Sequence, residues 1–422
     1  MTEIDSSTPA VVLKFDPNPM HHGGLGVIRS LGRRGVPVYG VHEDRMSPAA
    51  TSRYLVGRWY WRADPDDVER VHTELLRLAE RIGRPAVLLP TDDAGAIFLA
   101  EHGEGLRHAF RFSAPPATPP RQLAGKHSLY QLCQENGVPC PQAGSPRSLD
   151  EATEFATRTG FPVIAKLDTP WRPHGTRLRS TAILHERAEL VELYDTCARH
   201  GIGVLLQEFV PGDDWFFHGY CDEDSVCRPA FTGVKDRSYP AHAGLTSLGR
   251  SVPNELLRTQ AVELLSRLGY RGIVDLDFRL DSRDGTYKLL DFNPRLGAQF
   301  RLFRDTAGLD VALAAYLDLT GGVIAERAQV AGRRFLAENY DPIAARGYRL
   351  GPRSWAASLR GVDELAWFAR DDPRPFGLMC LRMGWRAATR GFSAGGRESG
   401  SGEPRYRPGR AALAPGPARQ EQ

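Results

Sequence analysis

The segment from Arg271 to Gln299 restricts the possible folds more than any other part of the chain. Residues 273–280 interleave β-branched and aromatic side chains with charged ones, which is typical of a strand with two different faces. Residues 281–285 read Asp-Ser-Arg-Asp-Gly and carry turn chemistry, and a second apolar run over 286–293 stops at a proline. Two such runs joined by a short loop that contains glycine predict a β-hairpin.

The polar residues of this hairpin predict a metal site. Side chains alternate between the faces of a strand, so Asp275 and Asp277 share one face of the first strand. Asp291 and Asn293 share one face of the second, and pairing the strands about the loop brings both of them close to Asp277. Crowded carboxylates require a counter-charge. Mg²⁺ binds oxygen ligands and typically uses one or two carboxylates, and Arg295 follows as a natural partner for phosphate.

The alternative is a hairpin whose acidic face points into water, because charged residues are mostly exposed. The compact ending Asp-x-Asn-Pro-Arg over residues 291–295 favours the metal site.

Composition and charge exclude several classes of protein. A length of 422 residues is enough for two or three domains, and a net charge of +3 offers no electrostatic case for nucleic-acid binding. No apolar run is long enough for a membrane span, and the first ten residues lack a signal-peptide pattern. The six cysteines are scattered without a C-x-x-C pair, which predicts a cytoplasmic protein with reduced thiols and no zinc site.

The N-terminal region predicts a Rossmann-like domain over residues 1–115. A strand at 11–15, a glycine-rich turn at 21–26, a helix and a second strand form a βαβ unit. The glycines do not form G-x-G-x-x-G in register, so a tight turn packed on the sheet is favoured over a phosphate cradle. Thr91, Asp92 and Asp93 follow the strand at 86–90; they face an acceptor substrate or, as we prefer, cap a helix.

Two further segments predict contacts with a nucleotide. The strand PVIA ends in Lys166, whose charge is costly among apolar residues unless an anion such as phosphate uses it. A strand at 204–208 ends in Glu208 and is followed by Phe209, Val210 and Pro211. Proline ends the pairing of the sheet and leaves the backbone groups of Phe209 and Val210 free for a ligand. The alternative is an ordinary turn, because a strand followed by Pro-Gly is also common in turns without a ligand.

Together, these segments resemble the ATP-grasp superfamily over residues 11–322. The metal-binding hairpin of that superfamily usually ends in Glu-x-Asn-Pro-Arg, and this chain has Asp291 in place of the glutamate. The resemblance implies an α/β and α+β architecture, the ATP-grasp fold, in which a Rossmann-like domain precedes two α+β subdomains that enclose ATP. It implies ATP and Mg²⁺ as cofactors, with Asp277, Asp291 and Asn293 as metal ligands.

The resemblance also assigns residues to the nucleotide and to the transferred phosphate. Lys126 and Lys166 are expected to contact phosphates, and Glu208, Phe209 and Val210 to form the adenine hinge. By spacing, Asp214 accepts the ribose hydroxyls. The catalytic pair is expected to be Arg295 and Lys235, which stabilise the charge of the phosphate or the carboxylate. The basic residues of 168–180 are expected to form a lid over the triphosphate, and residues 242–251 to close over the acceptor.

The expected organisation is a pre-ATP-grasp domain at 1–115, an ATP-grasp domain at 116–322, a small appendage at 323–390 and a disordered tail at 391–422. The combination of KDRSYP (235–240) and LTSLGRS (245–251) with LLDFNPR (289–295) resembles actinobacterial carboxylate–amine ligases of the D-aspartate ligase-like type. Such a ligase forms an amide through an acyl phosphate from a small-molecule carboxylate and an amine, and it can form a homodimer. A carboxylase-type ATP-grasp enzyme and a non-catalytic nucleotide-binding module remain as alternatives.

Overall fold

The computed structural model describes residues 4–62, 64–167, 181–242 and 244–394, with side chains described as far as residue 386. The predicted basic lid at 168–180 lies outside this range, as do residues 395–422 of the tail predicted at 391–422. Met1–Cys380 form one compact unit, which contains the three β-sheets. Among the described residues no helix has the length and apolarity that a membrane span requires.

The first sheet is the predicted Rossmann-like domain. Its elements are β1 (Ala10–Leu13), α1 (Gly23–Gly32), β2 (Val38–His42), β3 (Leu55–Tyr60), α2 (Val68–Ile82), β4 (Ala86–Pro90), α3 (Asp93–His102) and β5 (Phe110–Arg111). The strands are parallel in the order β3-β2-β1-β4-β5. This order places the carboxyl ends of β1 and β4 side by side, where open α/β sheets hold ligands.

Helix α2 shows how local sequence sets the bounds of an element. The side chain of Asp67 accepts a hydrogen bond from the backbone N–H of Arg70 and caps the first turn. Val71, Leu75 and Leu78 recur at helical spacing and are buried against the sheet. The helix ends at Gly83, whose φ of +75° is readily adopted only by glycine.

The second sheet packs two helices on one face and carries Lys166 on the other. The elements are α4 (Pro120–Ala124), α5 (Lys126–Glu135), β6 (Ala143–Gly144), α6 (Leu149–Thr159), β7 (Val163–Leu167), β8 (Thr181–Leu184), α7 (Arg187–Arg199) and β9 (Val204–Glu208). The strand order is β6-β9-β7-β8, with antiparallel pairing. Val163 and Ala165 pack with α6 and α7, so the alternation of β7 turns Ile164 and Lys166 the other way.

The third sheet contains the predicted hairpin. Its elements are β10 (Gly212–Cys221), β11 (Cys227–Tyr239), β12 (Leu245–Ser251), α8 (Glu255–Arg267), β13 (Gly272–Asp281), β14 (Tyr287–Asn293), α9 (Val311–Leu319), β15 (Arg334–Leu336), α10 (Asp341–Gly347), α11 (Pro352–Ser358), β16 (Glu364–Leu365) and α12 (Arg374–Ala394). The strand order is β14-β13-β10-β11-β12-β15-β16. Residues 242–251 were expected to close over an acceptor; within them, Leu245–Ser251 form β12, an interior strand that pairs with β11 and β15.

The segment after residue 322 is bound firmly to the rest of the unit. Strands β15 and β16 extend the third sheet. Arg237 of β11 makes two hydrogen bonds of 2.8 Å with the carboxylate of Asp341, and both side chains are buried. Arg29 of α1 pairs with buried Asp372 at 3.0 Å. Trp367 of this segment is fully buried.

Candidate active site

A cavity of about 340 Å³ lies between the second and third sheets and the turn that follows β1. Its lining includes every residue that the sequence assigned to the site: Lys126, Lys166, Glu208, Phe209, Val210, Asp214, Lys235, Asp277, Asp291, Asn293 and Arg295. These side chains come from α5, β7, β9, β10, β11, β13 and β14 and their adjoining turns. The fold therefore brings together residues that are separated by up to 169 positions in the sequence, from 126 to 295.

The hairpin pairs as the sequence predicted, with one irregularity. Asp277 lies opposite Asp291 and Asp275 lies opposite Asn293. A bulge follows, because Phe278 is paired with Leu289 and leaves Leu290 as the extra residue. On the core side of the bulge Leu289 is buried, whereas Asp291 faces the cavity. The consecutive leucines at 289–290 break the alternation and were the available sequence signal for this bulge.

The bulge supplies an acceptor for Lys166. The Nζ atom of Lys166 donates to the carbonyl oxygen of Leu290 at 2.9 Å and lies 3.1 Å from Oδ1 of Asp291. Lys126, the first residue of α5, donates to the same carboxylate oxygen at 2.7 Å. Burial lowers the pKa of Lys166, and the carboxylate of Asp291 opposes that shift. Two ammonium groups on one face of the cavity form a natural contact for a polyphosphate.

Lys235 of β11 approaches the hairpin that β13 and β14 form. Its Nζ atom lies 2.7 Å from Oδ1 of Asp277. Burial raises the pKa of Asp277, and the neighbouring carboxylates of Asp275 and Asp291 raise it further. The ammonium group of Lys235 opposes this shift. Burial also opposes the charge on Lys235, but Asp277 and Asp214 outweigh it and raise the pKa of the lysine. This part of the cavity thus holds opposite charges in close contact.

The strand-to-turn segment after β9 has the geometry of a hinge. Glu208 is fixed by its backbone N–H, which donates to the carbonyl of Gln142 at 2.8 Å, and by an ion pair with Arg283 at 2.6 Å. Among the described residues, no hydrogen bond is made by the backbone N–H of Phe209 or Val210. The expectation that both backbone groups of Val210 are free needs correction, because its carbonyl accepts a hydrogen bond from Arg279 at 3.0 Å.

Arg279 also contacts the residue predicted to bind ribose. Its Nε atom donates to Asp214 at 2.7 Å, and the two residues are adjacent across the β10–β13 ladder. Arg279 is therefore a cavity residue to which the sequence analysis assigned no role. The alternation of residues 273–280 could have revealed it, because this alternation puts Arg279 on the same face of the strand as Asp275 and Asp277.

A second network that the sequence did not assign surrounds Asp275. One carboxylate oxygen lies 3.1 Å from Nε2 of His218, and the other accepts from Nη1 of Arg295 at 3.0 Å and from Asn293 at 3.3 Å. Burial alone would raise the pKa of Asp275, but His218 and Arg295 reverse this and hold its pKa below the usual range. A Cβ atom at Gly297 would lie 2.2 Å from His218, so only glycine fits beside this network.

The carboxyl end of the first sheet forms the remaining wall. Asp92 caps α3 by accepting from the backbone N–H of Gly95 at 2.8 Å, which confirms the predicted cap. Asp93 instead lines the cavity and lies 3.2 Å from Nε of Arg295. Burial raises the pKa of Asp92 to about 6, against hydrogen bonds from the backbone.

Two histidines in the glycine-rich turn complete this wall. His21 and His22 line the cavity, and neither ring nitrogen of His22 has a hydrogen-bond partner among the described residues. Burial lowers the pKa of each to about 3, so both rings are neutral at physiological pH. A Cβ atom at Gly26 would lie 2.6 Å from Phe300, which agrees with the preferred packing role for the glycines of this turn.

The residues present fit a Mg²⁺ ion. Asp277, Asp291 and Asn293 offer hard oxygen donors, and Oδ1 of Asp277 is buried without a hydrogen bond of good geometry. Among the described residues, no group of three or more His, Cys, Asp or Glu side chains is arranged so that it could hold a metal ion. The proposed site differs in kind, because Mg²⁺ needs only one or two carboxylates and completes its shell with phosphate oxygens and water.

Comparisons with known proteins agree with this geometry. The family model for the carbamoyl-phosphate synthase L chain, ATP binding domain, matches residues 249–320, which include the hairpin. D-aspartate ligase from Enterococcus faecium is 26% identical over 292 residues, which cover 64% of this chain and 68% of that protein. The arginine-specific carbamoyl phosphate synthase large chain of Geobacillus stearothermophilus is 24% identical over 49% of this chain, but over only 20% of its own length.

Solved structures show the same fold. L-amino acid ligase from Bacillus licheniformis superimposes with a TM-score of 0.57 at 14% identity, over 78% of this chain and 79% of that one. N5-carboxyaminoimidazole synthetase from Staphylococcus aureus, complexed with ADP, gives a TM-score of 0.57 at 10% identity, over 79% and 82% of the two chains. Together with the hairpin and the hinge, these similarities show that the chain has the ATP-grasp fold.

Proposed function

We propose that this protein is an ATP-dependent ligase that joins a carboxylate to an amine and releases ADP and phosphate. The observation that carries the proposal is the pairing of Asp277 with Asp291 inside a cavity that also holds Lys166, Lys235 and Arg295. Phosphoryl transfer depends on positioning and on neutralisation of charge more than on a protein nucleophile. A cavity with paired carboxylates for a metal and three cations for phosphate meets that requirement.

The nucleotide would lie at the end of the cavity formed by α5, β7 and the hinge. The free N–H groups of the hinge suit the edge of an adenine ring. Asp214 would accept the ribose hydroxyls, with Arg279 holding its carboxylate in place. Lys126 and Lys166 would contact the phosphates, since both ammonium groups meet at Asp291 in the same cavity.

The chemistry would take place beside the hairpin. Bound Mg²⁺ would neutralise the charge on the phosphate oxygens, and Asp277, Asp291 and Asn293 would hold it. A substrate carboxylate would attack the γ-phosphorus of ATP, which forms an acyl phosphate and breaks the bond to ADP. An amine would then attack the acyl carbon, lose a proton and expel inorganic phosphate. Lys235 and Arg295 would stabilise the anionic groups, because both reach the cavity between the hairpin and the first sheet.

The relatives support this reaction class by what they are named for. D-aspartate ligase and L-amino acid ligase are both named as ligases that act on amino acids, which carry a carboxylate and an amine, and both resemble this chain over most of their length. The proposed partners are therefore a small-molecule carboxylate and a small-molecule amine. A homodimer stays a prediction, as does a cytoplasmic location, which rests on the six free cysteines.

Incubation of the purified protein with ATP, Mg²⁺ and a panel of acids and amines tests the proposal. We expect ADP release only when both a carboxylate and an amine are present, with one phosphate released for each amide formed. ADP release that requires bicarbonate would favour the carboxylase-type alternative, which structural relatives such as biotin carboxylase from Campylobacter jejuni keep open. Protection by ATP against thermal unfolding, without turnover across the panel, would favour a nucleotide-binding module.

Replacement of Lys166 with alanine should weaken ATP binding by about 10- to 100-fold. The reason is the loss of one charge-assisted contact to phosphate, worth about 1.5–3 kcal/mol. Isothermal titration calorimetry with ATP and Mg²⁺ measures the change. Arg158→Ala is the matched control, because Arg158 is an exposed cation on α6 of the same sheet and lies outside the cavity. Equal dissociation constants for Lys166→Ala and the unaltered protein would remove Lys166 from the nucleotide site.

A further inference from the structure

A second, smaller cavity lies away from the candidate active site. It measures about 140 Å³, several times the roughly 30 Å³ that one water molecule occupies in the liquid. Five arginines and two carboxylates line it, so its formal charge is strongly positive. We call it the arginine pocket, and define it by Arg34, Arg301, Arg304, Arg333 and Glu364. None of these residues lines the larger cavity.

The arginine pocket joins three parts of the fold. Arg34 follows α1 of the first sheet, whereas Arg301 and Arg304 lie just after the metal hairpin. Arg333 precedes β15, which lies between β12 and the edge strand β16 in the third sheet. The cations thus converge from separate elements, which is different from a run of basic residues along one exposed helix.

Internal ion pairs account for only part of this positive charge. Arg301 is paired with Glu364 at 2.6 Å, and the lining residue Arg33 is paired with Asp371 outside the pocket. The other lining carboxylate, Asp310, is already used to cap α9. In the part of the chain that the structure describes, Arg304 has no side-chain hydrogen bond or ion pair, and Arg34 has only a 3.5 Å contact with a carbonyl oxygen.

Arg333 is the strongest indication of a ligand. The residue is only 7% exposed, and its Nε atom is buried without a hydrogen-bond partner among the described residues. Its nearest carboxylate oxygen, on Glu364, is 3.5 Å away, and that side chain already pairs with Arg301. A buried guanidinium group is costly unless anionic acceptors satisfy its donors. Burial, together with the positive charge of Arg304, lowers the pKa of Arg333. This is the shift expected where the anionic groups nearby do not offset the cost of burying the guanidinium charge.

We propose that the arginine pocket binds a phosphate group. Several guanidinium groups that come from three parts of the fold suit a tetrahedral anion with several acceptor oxygens better than a planar carboxylate with two. The source of the phosphate group is either the free ion or the phosphate of a larger metabolite, and both share this chemistry. The proposal does not depend on the ligase activity.

Calorimetric titration at constant ionic strength tests the proposal, with inorganic phosphate and glycerol phosphate as separate probes. We expect saturable binding to the unaltered protein, and dissociation constants at least about tenfold higher for Arg333→Gln and for Arg304→Gln. Arg304 is exposed, so Arg304→Gln remains informative if Arg333→Gln fails to fold. Arg353→Gln is the matched control, because Arg353 is an exposed arginine outside both cavities.

Lys166→Ala separates this pocket from the active site. If phosphate binds in the arginine pocket, Lys166→Ala leaves the titration unchanged. Loss of phosphate binding in Lys166→Ala but not in Arg333→Gln or Arg304→Gln would overturn the proposal, as would the absence of saturable binding to the unaltered protein. Tighter binding of glycerol phosphate than of inorganic phosphate would identify a metabolite as the source, and the reverse order would identify the free ion.

Discussion

Asp291→Ala lowers the rate of ADP formation by at least about a thousandfold and leaves the protein folded. The expected loss is large because Asp291 faces Asp277 across the hairpin and also anchors Lys126 and Lys166. Removal of a single preorganised group that stabilises a transition state commonly costs about 10²–10³ in rate, and here two lysines lose their anchor as well. Coupled measurement of ADP release, at saturating ATP and over a range of Mg²⁺ concentrations, gives the rate.

Two other substitutions make this result specific. Asp284→Ala removes an exposed carboxylate from the loop of the same hairpin and should leave the rate unchanged. Asp291→Glu places the residue that is usual in ATP-grasp hairpins and should keep measurable turnover. Circular dichroism and thermal unfolding check that each variant is folded. Normal turnover and normal dependence on Mg²⁺ in Asp291→Ala would show that the metal lies elsewhere.

Asp372→Ala should reduce the free energy of unfolding by about 3–5 kcal/mol. The carboxylate of Asp372 accepts hydrogen bonds from Arg29 at 3.0 Å, from Ser52 at 2.7 Å and from the backbone of Arg53 at 2.9 Å. Arg29 and Asp372 are each only 1% exposed, so the substitution leaves a buried arginine without its charged partner. Breaking a buried pair in this way costs roughly 3–5 kcal/mol.

The neighbouring residue provides the control for this prediction. Asp371 pairs with Arg33, but both side chains are partly exposed, and such pairs typically contribute about 1 kcal/mol or less. Urea denaturation of Asp371→Ala and Asp372→Ala compares the two. Equal stabilities would mean that the C-terminal segment is an appendage, as the sequence suggested. A large difference would mean that this segment is part of the main body.

The sequence predicted the parts of the fold that depend on local patterns. The strands at 86–90 and 204–208 have the bounds that the sequence indicated, because apolar runs and following turns define them. Strands β15 and β16 were missed, since three and two residues are too few to show an alternating pattern. Residues 242–251 were predicted only to close over an acceptor, because their small polar side chains hide the interior strand that residues 245–251 form.

The residues of the candidate site also fall into two groups, those that local sequence motifs predicted and those that only the fold brings to the site. The hairpin, the hinge and Lys166 carry motifs within short segments, so their residues could be named in advance. The partner of Asp275 could not, because His218 reaches it only through the pairing of β10 with β13, 57 positions along the chain. His22 was also missed, since a neutral buried ring looks the same in the sequence as an exposed one.

The unpaired residue Leu290 has a consequence for how the nucleotide would be held. Shortening β14 by this single residue would leave Asp277 and Asp291 opposite each other, because the ladder is regular on both sides of it. The shortened protein would retain the ammonium group of Lys166 but lose the carbonyl oxygen that orients it. The difference in ATP affinity between the two proteins would therefore measure how much the preorganised orientation of Lys166 contributes to binding, separately from the contribution of its charge.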